Sequence, residues 1–305
     1  EDGYDHLGLS FEDIVMRIPS NTSIIGLSCM FSQDWLSLKR LIRHIRKCFP
    51  STLIIAGGEH ITALPEECLR DCPGLDYCVL GEGEETINEI ALCIEQNNGF
   101  EEVDGVAFLR YDRYIQTPAR KRIRAVDDIA LPAWDLFPIE NYINAGHGRG
   151  VNRGRNMAII ATRGCPHRCT FCSNESMWTT RWVPRKPELI LNEIREYIEK
   201  YQITNFDFYD LTMIVKKSWA IEFCQLVIDS GLKFEWQLSS GTRSEAITKE
   251  VSELLQKAGC TNISSKMPDF FAASIIFKVI NPSDKGILSF LFFSIQRKKC
   301  LICLI

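Results

Sequence analysis

The sequence predicts an α/β protein in which a doubly wound parallel sheet is followed by a partial β/α barrel. Short apolar, β-branched runs alternate with stretches of helical spacing through residues 23–95, and the alternation resumes at residue 156. A stretch with several glycines and prolines lies between the two regions. Strands that alternate with helices form parallel sheets, so the 305-residue chain is expected to contain two α/β domains.

The first region contains three strand candidates. Residues 23–28 and 52–58 are apolar runs, and residues 75–80 form a third run that leads into Gly-x-Gly. Residues 35–48 carry leucine and isoleucine at helical spacing, and an acidic helix start follows at residues 84–89. This order predicts parallel strands covered by helices.

Residues 110–156 have a different character. We interpret "ALPAWDLFP" (130–138) as a partly ordered aromatic anchor within a linker. The glycine-rich "NAGHGRGVNRGRN" (144–156) is predicted to be a flexible loop.

The second region predicts three consecutive strand–helix units and the start of a fourth strand at Cys260. Its elements are strands at 156–164, 203–210 and 233–240 and helices at 187–200, 216–230 and 244–258. From Lys266 onward the chain is apolar without a clear period, so we expect an atypical or aberrant tail; an unusual cap is the alternative.

Composition narrows the function classes. The formal net charge of −4 argues against nucleic acid as a partner, and the basic run at residues 120–124 is interpreted as a solvated linker. The 13 cysteines are odd in number and scattered, which favours a reducing, cytoplasmic environment. No apolar run reaches the roughly 20 residues of a membrane span, and no signal peptide is visible.

Three cysteines stand close together in "RGCPHRCTFC": Cys165, Cys169 and Cys172. They could be buried thiols, zinc ligands or ligands of an iron–sulfur cluster. Structural zinc takes four ligands, usually as two separated pairs, and His167 lies too close within the triplet to complete such a site without strain. Three thiolates on an iron–sulfur cube leave one iron open to a small molecule. The triplet also follows a predicted strand, at the end where β/α barrels carry their chemistry.

Cys-x3-Cys-x2-Cys after "ATRGCP", with an aromatic residue before the last cysteine, resembles the radical S-adenosylmethionine (SAM) superfamily. The resemblance implies a TIM-like barrel in which Cys165, Cys169 and Cys172 hold a 4Fe–4S cluster whose fourth iron binds SAM. It also implies SAM contacts from further positions that match the family pattern: Phe171, Asp210, Ser239 and Arg243. Asp207 is interpreted as structural.

"IAGGEHITALPEECLRDCPGLDYCVLGEGEETINEI" resembles the Rossmann-like cobalamin-binding domain found upstream of radical SAM domains. The resemblance implies cobalamin contacts at the strand ends, namely Ser28, Gly57, Gly58, His60, Gly81, Glu82 and Gly83. His60 is expected to line the pocket, and His6 is not assigned as a cobalt ligand. The predicted domains are an N-terminally incomplete cobalamin-binding-like domain at 1–110, a linker at 111–155, a partial radical SAM barrel at 156–265 and the tail at 266–305.

Together the resemblances imply a cobalamin-dependent radical SAM enzyme, preferably a methyltransferase that acts on an unactivated carbon through a 5′-deoxyadenosyl radical. An oxidative porphyrin-ring cyclase and a truncated non-catalytic paralogue are alternatives. A tRNA methylthiotransferase is disfavoured, because the additional cysteines are spread over predicted strands and helices. Expected partners are a small-molecule substrate and an electron donor such as flavodoxin or ferredoxin, with no nucleic acid and no membrane span.

Overall fold

A computed structural model describes residues 9–146, 148, 150–170 and 172–266. Phe171 and nearly all of the predicted tail lie outside the described residues. The described chain forms two compact units. One takes in residues up to 123 together with 169–178, and the other takes in residues 124–168 and 179–266. The predicted domain boundaries stay a prediction.

The first part of the chain alternates helices and strands as predicted. Its elements are α1 (Phe11–Arg17), β1 (Ile24–Ser28), α2 (Trp35–Cys48), β2 (Leu53–Gly57), α3 (Glu59–Ala63), α4 (Pro65–Asp71), β3 (Tyr77–Val79), α5 (Glu84–Glu95), β4 (Val106–Arg110) and β5 (Arg113–Gln116).

The first sheet has the order β1-β2-β3-β4-β5. Strands β1, β2 and β3 are parallel, with Ser28 paired to Gly57 and Ile55 paired to Tyr77. Strands β4 and β5 form an antiparallel hairpin that extends the sheet at its edge. Part of the predicted linker therefore belongs to this sheet.

Both faces of the first sheet are covered, which confirms the predicted doubly wound arrangement. Ile54 and Ala56 of β2 face a core built with the apolar side of α2, whereas Ile55 faces the opposite core with Ile90 of α5. Because successive side chains of a strand point to opposite faces, a continuously apolar strand such as β2 requires cover on both sides.

The second part of the chain contains the predicted strand–helix units. Its elements are α6 (Ile139–Ala145), β6 (Asn156–Ile159), β7 (Thr162–Arg163), α7 (Asn174–Trp178), β8 (Val183–Pro184), α8 (Pro187–Tyr201), β9 (Asn205–Phe208), α9 (Lys217–Ser230), β10 (Glu235–Arg243), α10 (Lys249–Lys257) and β11 (Cys260–Lys266).

The second sheet is wholly parallel and has the order β6-β9-β10-β11. Each neighbour is the next strand along the chain once the short β7–β8 ribbon is set aside, and one of the helices α8, α9 and α10 separates each pair. Sequential order of this kind is that of a β/α barrel wall, so the predicted partial barrel is confirmed.

Two of the element boundaries that differ from the prediction have a local cause. The strand predicted at 156–164 divides into β6 and β7, because Asp210 accepts a hydrogen bond from the backbone N–H of Ala161 between them (3.2 Å). The helix predicted from residue 244 begins at Lys249, where the Thr248 side chain accepts from the N–H of Val251 (3.3 Å) and so caps the first turn.

The predicted aromatic anchor in the linker contacts α8 through hydrogen bonds that begin at Trp134. The indole N–H of Trp134 donates to the Tyr197 hydroxyl (3.0 Å), which in turn donates to the buried Glu193 carboxylate (2.7 Å). Arg185 donates to the same carboxylate (2.6 Å). Among the helices of the described residues, none has the length and apolar character needed to cross a membrane.

Candidate functional site

The carboxyl ends of β1, β2 and β3 meet at one edge of the first sheet. Ser28 ends β1, Gly57 ends β2 and Gly81 follows β3 by two residues. The loops after these strands are tied together, since the Cys29 N–H donates to the Gly57 carbonyl (2.8 Å) and the Gly81 N–H donates to the Thr62 hydroxyl (3.0 Å). The structure thus brings the predicted cobalamin residues to the edge where open α/β sheets bind ligands.

The reason for a glycine differs from one position of this edge to the next. Gly58 has φ +103°, and a Cβ there would lie 2.5 Å from the carbonyl oxygen of Cys29. Its lack of a side chain therefore serves packing between two loops. Gly81 has φ +73°, and a Cβ there would have no neighbour within 4 Å, so this position leaves open space for the close approach of a ligand. Gly57 and Gly83 would meet only ordinary contacts.

His60 is buried, with 7% of its surface exposed. Its Nδ1 lies 2.9 Å from the Ser32 hydroxyl and its Nε2 lies 3.5 Å from the Cys68 sulfur, while its ring packs 5.5 Å from that of Trp35. Burial lowers the pKa of His60 from its ordinary value, which favours the neutral ring. Both nitrogens are engaged within the protein, and contact with cobalamin stays a prediction.

Glu82 is 5% exposed, and its carboxylate holds the chain that follows β5. Its Oε2 accepts from the Arg122 Nε (2.7 Å) and from the backbone N–H of Ile123 (2.8 Å). Arg122 was expected to be part of a solvated basic run, yet only 11% of its side chain is exposed. No sequence signal distinguishes Arg122 from the exposed Lys121 and Arg124, because its burial depends on a partner 40 residues away.

Helix α7, which follows the third cysteine, packs against the same edge and belongs to the same compact unit. Glu59 at the start of α3 accepts from the Ser173 hydroxyl (3.1 Å) and from the indole N–H of Trp178 (3.2 Å). The guanidinium of Arg122 lies over the Trp178 ring, 5.3 Å from its centroid. Glu59, Ser173 and Trp178 were not singled out from the sequence, since a short helix after a loop carries no periodic signal.

The predicted cluster ligands lie on the loop between β7 and α7. Cys165 and Cys169 are half-buried and Cys172 is exposed; the N–H of Cys172 bonds back to the carbonyl of Cys169 (3.0 Å), which forms a tight turn. Within the described ranges, no three Cys, His, Asp or Glu side chains converge as they would around a metal ion. The set of three accessible thiols fits a 4Fe–4S cluster chemically. The ligand assignment stays a prediction.

Asp210 lies at the carboxyl end of β9 and is 2% exposed. Its carboxylate accepts from the Thr162 hydroxyl (2.6 Å) and from the Ala161 N–H (3.2 Å). Burial raises the pKa of Asp210 to about 6. The residue therefore fixes the segment that leads from β6 to the first cysteine, and its contact with SAM stays a prediction.

Ser239 and Arg243 both lie on β10. The Ser239 hydroxyl donates to the backbone carbonyl of Phe208 on β9 (3.3 Å). Arg243 is the last residue of the strand, and its side chain is outside the description. Both SAM contacts stay predictions.

The hydrogen bonds and the burial of Asp207 agree with the structural role that the sequence suggests for it. It is fully buried, and its Oδ2 accepts from the Asn156 side chain (2.6 Å) and from the backbone N–H of Gly150 (3.2 Å). Gln237 bonds both the N–H and the carbonyl of Val151. Part of the glycine-rich segment predicted to be a flexible loop is thus bonded to buried side chains of the second sheet.

Comparison with known proteins assigns the two halves of the chain. Residues 4–91 match the family model of the B12 binding domain, and residues 159–266 match that of the Radical SAM superfamily. An uncharacterized methyltransferase of Pyrococcus horikoshii is 28% identical over 258 residues, which are 84% of this chain and 54% of that protein. The anaerobic magnesium-protoporphyrin IX monomethyl ester cyclase of Cereibacter sphaeroides is 33% identical over 220 residues, 70% of this chain and 35% of that protein.

Solved structures share the fold. The radical SAM methyltransferase TsrM of Kitasatospora setae, with cobalamin and a [4Fe-4S] cluster bound, superposes with a TM-score of 0.65 at 16% identity, over 84% of this chain and 51% of that one. The cobalamin-dependent SAM radical enzyme OxsB, with aqua-cobalamin and SAM bound, gives 0.66 at 20% identity, over 82% and 35%. The chain spans 54% or less of each relative named here. It belongs to the radical SAM superfamily, in the group of proteins that carry a B12-binding domain before the radical SAM domain.

Proposed function

We propose that this chain is the core of a cobalamin-dependent radical SAM methyltransferase that acts on an unactivated carbon of a small molecule. One observation carries the proposal. The segment that contains Cys169 and Cys172 continues into α7, and α7 is bonded through Glu59 to the carboxyl edge of the B12-binding sheet. Two of the three predicted cluster ligands, Cys169 and Cys172, therefore lie in the same compact unit as the predicted corrin-binding edge.

Each residue group has a defined part in this proposal. Cys165, Cys169 and Cys172 would hold the 4Fe–4S cluster, and the open edge at Gly81 would receive cobalamin. When bound, the cluster supplies the electron for reductive cleavage of SAM, and cobalamin carries the methyl group that the substrate radical receives. The contribution of the chain is to orient these groups and to exclude water from them.

Residues of the second sheet would hold SAM and keep its loop in place. Asp210 ties the segment before Cys165 to β9 through Thr162. Ser239 and Arg243 lie along β10, and an arginine suits the SAM carboxylate because its planar fork can bond both oxygens. Phe171 would pack against a flat ring.

The test is anaerobic reconstitution of the full 305-residue chain with iron, sulfide and hydroxocobalamin, followed by reduction in the presence of SAM. We expect about four irons per chain, 5′-deoxyadenosine, and S-adenosylhomocysteine from methylation of the corrinoid. Cys169→Ala should abolish iron uptake and 5′-deoxyadenosine formation, whereas Cys48→Ala, an exposed thiol at the end of α2, should leave both unchanged. Equal iron uptake by the two variants would refute the cluster assignment.

The second candidate is an oxidative cyclase of the porphyrin-ring type. It is favoured by the 33% identity to the cyclase of Cereibacter sphaeroides, which exceeds the 28% identity to the Pyrococcus horikoshii methyltransferase. The two candidates differ in the fate of SAM. Formation of 5′-deoxyadenosine without S-adenosylhomocysteine would favour the cyclase, because oxidation consumes no methyl group.

The buried thiols of the first unit speak against a second cluster of the methylthiotransferase kind. Burial raises the pKa of Cys29 to about 11 and that of Cys68 to about 12, and Cys72 and Cys78 are raised in the same direction. A thiol held protonated is a poor iron ligand. We further propose a cytoplasmic enzyme without a nucleic acid partner that is reduced by flavodoxin or ferredoxin, and turnover with either protein in place of a chemical reductant tests the donor.

A further inference from the structure

Arg120 and Arg122, in the chain segment after β5, differ in how many of their side-chain nitrogens have a hydrogen-bond acceptor. Every nitrogen of the Arg120 side chain has an acceptor: Nε donates to the Thr86 hydroxyl (2.9 Å), and Nη1 and Nη2 donate to the Glu89 carboxylate. Arg122 uses only its Nε, which donates to Glu82. Its Nη1 and Nη2 are buried and have no acceptor among the described residues.

The surroundings of Arg122 fix its guanidinium in place. Glu82 holds one edge, the Trp178 ring lies against the group, and the neighbouring Ile123 N–H is tied to the same carboxylate. The guanidinium group therefore loses hydration without gaining partners for up to four N–H donors. Leaving donors of a charged group unsatisfied in a buried position is costly, so their arrangement suits a ligand that brings oxygen acceptors.

The chemistry of the acceptor follows from the charge. Glu82 already neutralises Arg122, so an anion placed against the pair would bring a second negative charge near a buried carboxylate. A neutral amide oxygen accepts the same hydrogen bonds without that repulsion. The periphery of a corrin ring carries primary amide side chains, and Arg122 is bonded to Glu82, the residue that directly follows Gly81.

We propose that Arg122 is a corrinoid-binding residue whose Nη1 and Nη2 donate to an amide oxygen at the edge of the corrin ring. In this arrangement Glu82 is a positioning residue that acts through Arg122. The inference rests on the proposed binding of cobalamin at the carboxyl edge of the first sheet. It assigns the ring contact to a residue after the sheet, beyond the strand-end glycines.

The experiment is equilibrium binding of hydroxocobalamin to the full chain, measured by dialysis with detection of corrin absorbance, without any turnover. Arg122→Gln should raise the Kd about 10- to 100-fold, the range expected for hydrogen bonds to a charged group. Arg120→Gln is the matched control, because the donors of Arg120 are already satisfied by the protein, and its Kd should stay near that of the wild type. Cobinamide, which keeps the ring amides but lacks the nucleotide phosphate, should show the same loss with Arg122→Gln.

A folding defect is a concern, since Arg122→Gln leaves Glu82 buried without its counter-ion. The double variant Glu82→Gln with Arg122→Gln removes both charges together, and it should melt near the wild-type temperature while keeping the weakened binding. Unchanged affinity in either variant would overturn the inference. A loss seen with cobalamin and not with cobinamide would also overturn it, by moving the contact to the phosphate. Failure of the wild-type chain to bind either corrinoid would instead refute the proposed function on which the inference rests.

Discussion

The glycines at the carboxyl edge allow a graded test of how this edge is built. Gly58 has φ +103° and ψ 176°, a region that residues with a side chain rarely adopt. Gly58→Ala therefore costs about 1–3 kcal/mol in backbone strain. The added Cβ would also lie 2.5 Å from the Cys29 carbonyl oxygen and 2.8 Å from its carbon, so the backbone must move, at a further cost of about 1–3 kcal/mol. The expected loss in the free energy of unfolding of this unit is about 2–6 kcal/mol in total.

Two other glycines serve as matched controls on the same edge. Gly81→Ala keeps the strain of φ +73° but meets open space, so it should cost about 1–2 kcal/mol. Gly57→Ala meets the Val79 carbonyl oxygen at 3.4 Å, an ordinary contact, and should stay within about 0.5 kcal/mol of the wild type.

The assay is urea-induced unfolding followed by far-UV circular dichroism, with peptide-level hydrogen exchange of β1 and β2 to separate this unit from the other. We expect the order Gly58→Ala, then Gly81→Ala, then Gly57→Ala in decreasing destabilisation. Equal losses for all three variants, or a Gly58→Ala chain as stable as the wild type, would refute the argument that close approach to Cys29 dictates this glycine.

Three further predictions concern the second unit and the buried thiols. Because burial raises the pKa of Asp210 from 3.8 to about 6, the folded chain holds this proton more tightly than the unfolded chain. The free energy of unfolding should therefore fall by about 3 kcal/mol in total as the pH rises from about 3 to about 7, with about 2 kcal/mol of that loss between about pH 4 and about pH 6. Asp210→Asn should remove this part of the pH dependence in unfolding titrations, and an unchanged slope would contradict it. In the native chain at pH 8, Cys68 should resist iodoacetamide while the exposed Cys48 reacts, as mass spectrometry of peptides would reveal; equal labelling would contradict the burial argument. Trp134→Phe removes the hydrogen bond to Tyr197 and should destabilise the second unit by about 1 kcal/mol in urea titrations, and a loss near zero would mean that the anchor is apolar contact alone.

The elements that the sequence predicts correctly are those with a strong period. The helix at residues 35–48 has the bounds of α2, because its leucines and isoleucines recur at helical spacing and are buried along one side. The strand–helix order of the second region was predictable for the same reason, and its sequential sheet order follows from short connections between neighbouring units.

The hairpin of β4 and β5 shows where local pattern fails. Its turn residues Tyr111 and Asp112 have φ +50° and +63°, as in the tight hairpin turns that usually carry Asn-Gly or Asp-Gly. A tyrosine at the first of these positions gives no turn signal. Arg110 and Arg113, which pair at the ends of the two strands next to the turn, are polar residues that resemble those of a linker. The turn is instead determined by the pairing of β4 with β3 and with β5, which fixes where the two strands of the hairpin end.

The candidate site was predictable at its strand ends and unpredictable at the contacts between them. Ser28, Gly57 and Gly81 could be placed on one edge because the carboxyl ends of parallel strands share an edge. The pairing of Glu82 with Arg122 depends on the path of the chain after β5, which no local pattern encodes.

The contacts of α7 bear on how this chain can be divided. The sequence suggests a cut near residue 155, which separates the two regions of alternating strands and helices. Yet Ser173 and Trp178 supply hydrogen bonds to Glu59, and the Trp178 ring covers the guanidinium of Arg122. A fragment that ends at residue 155 would lose these partners and leave the Glu59 carboxylate without them. The segment that carries Cys169 and Cys172 therefore packs with the first sheet rather than with the second, and a cut made at the sequence boundary would separate groups that this unit holds together.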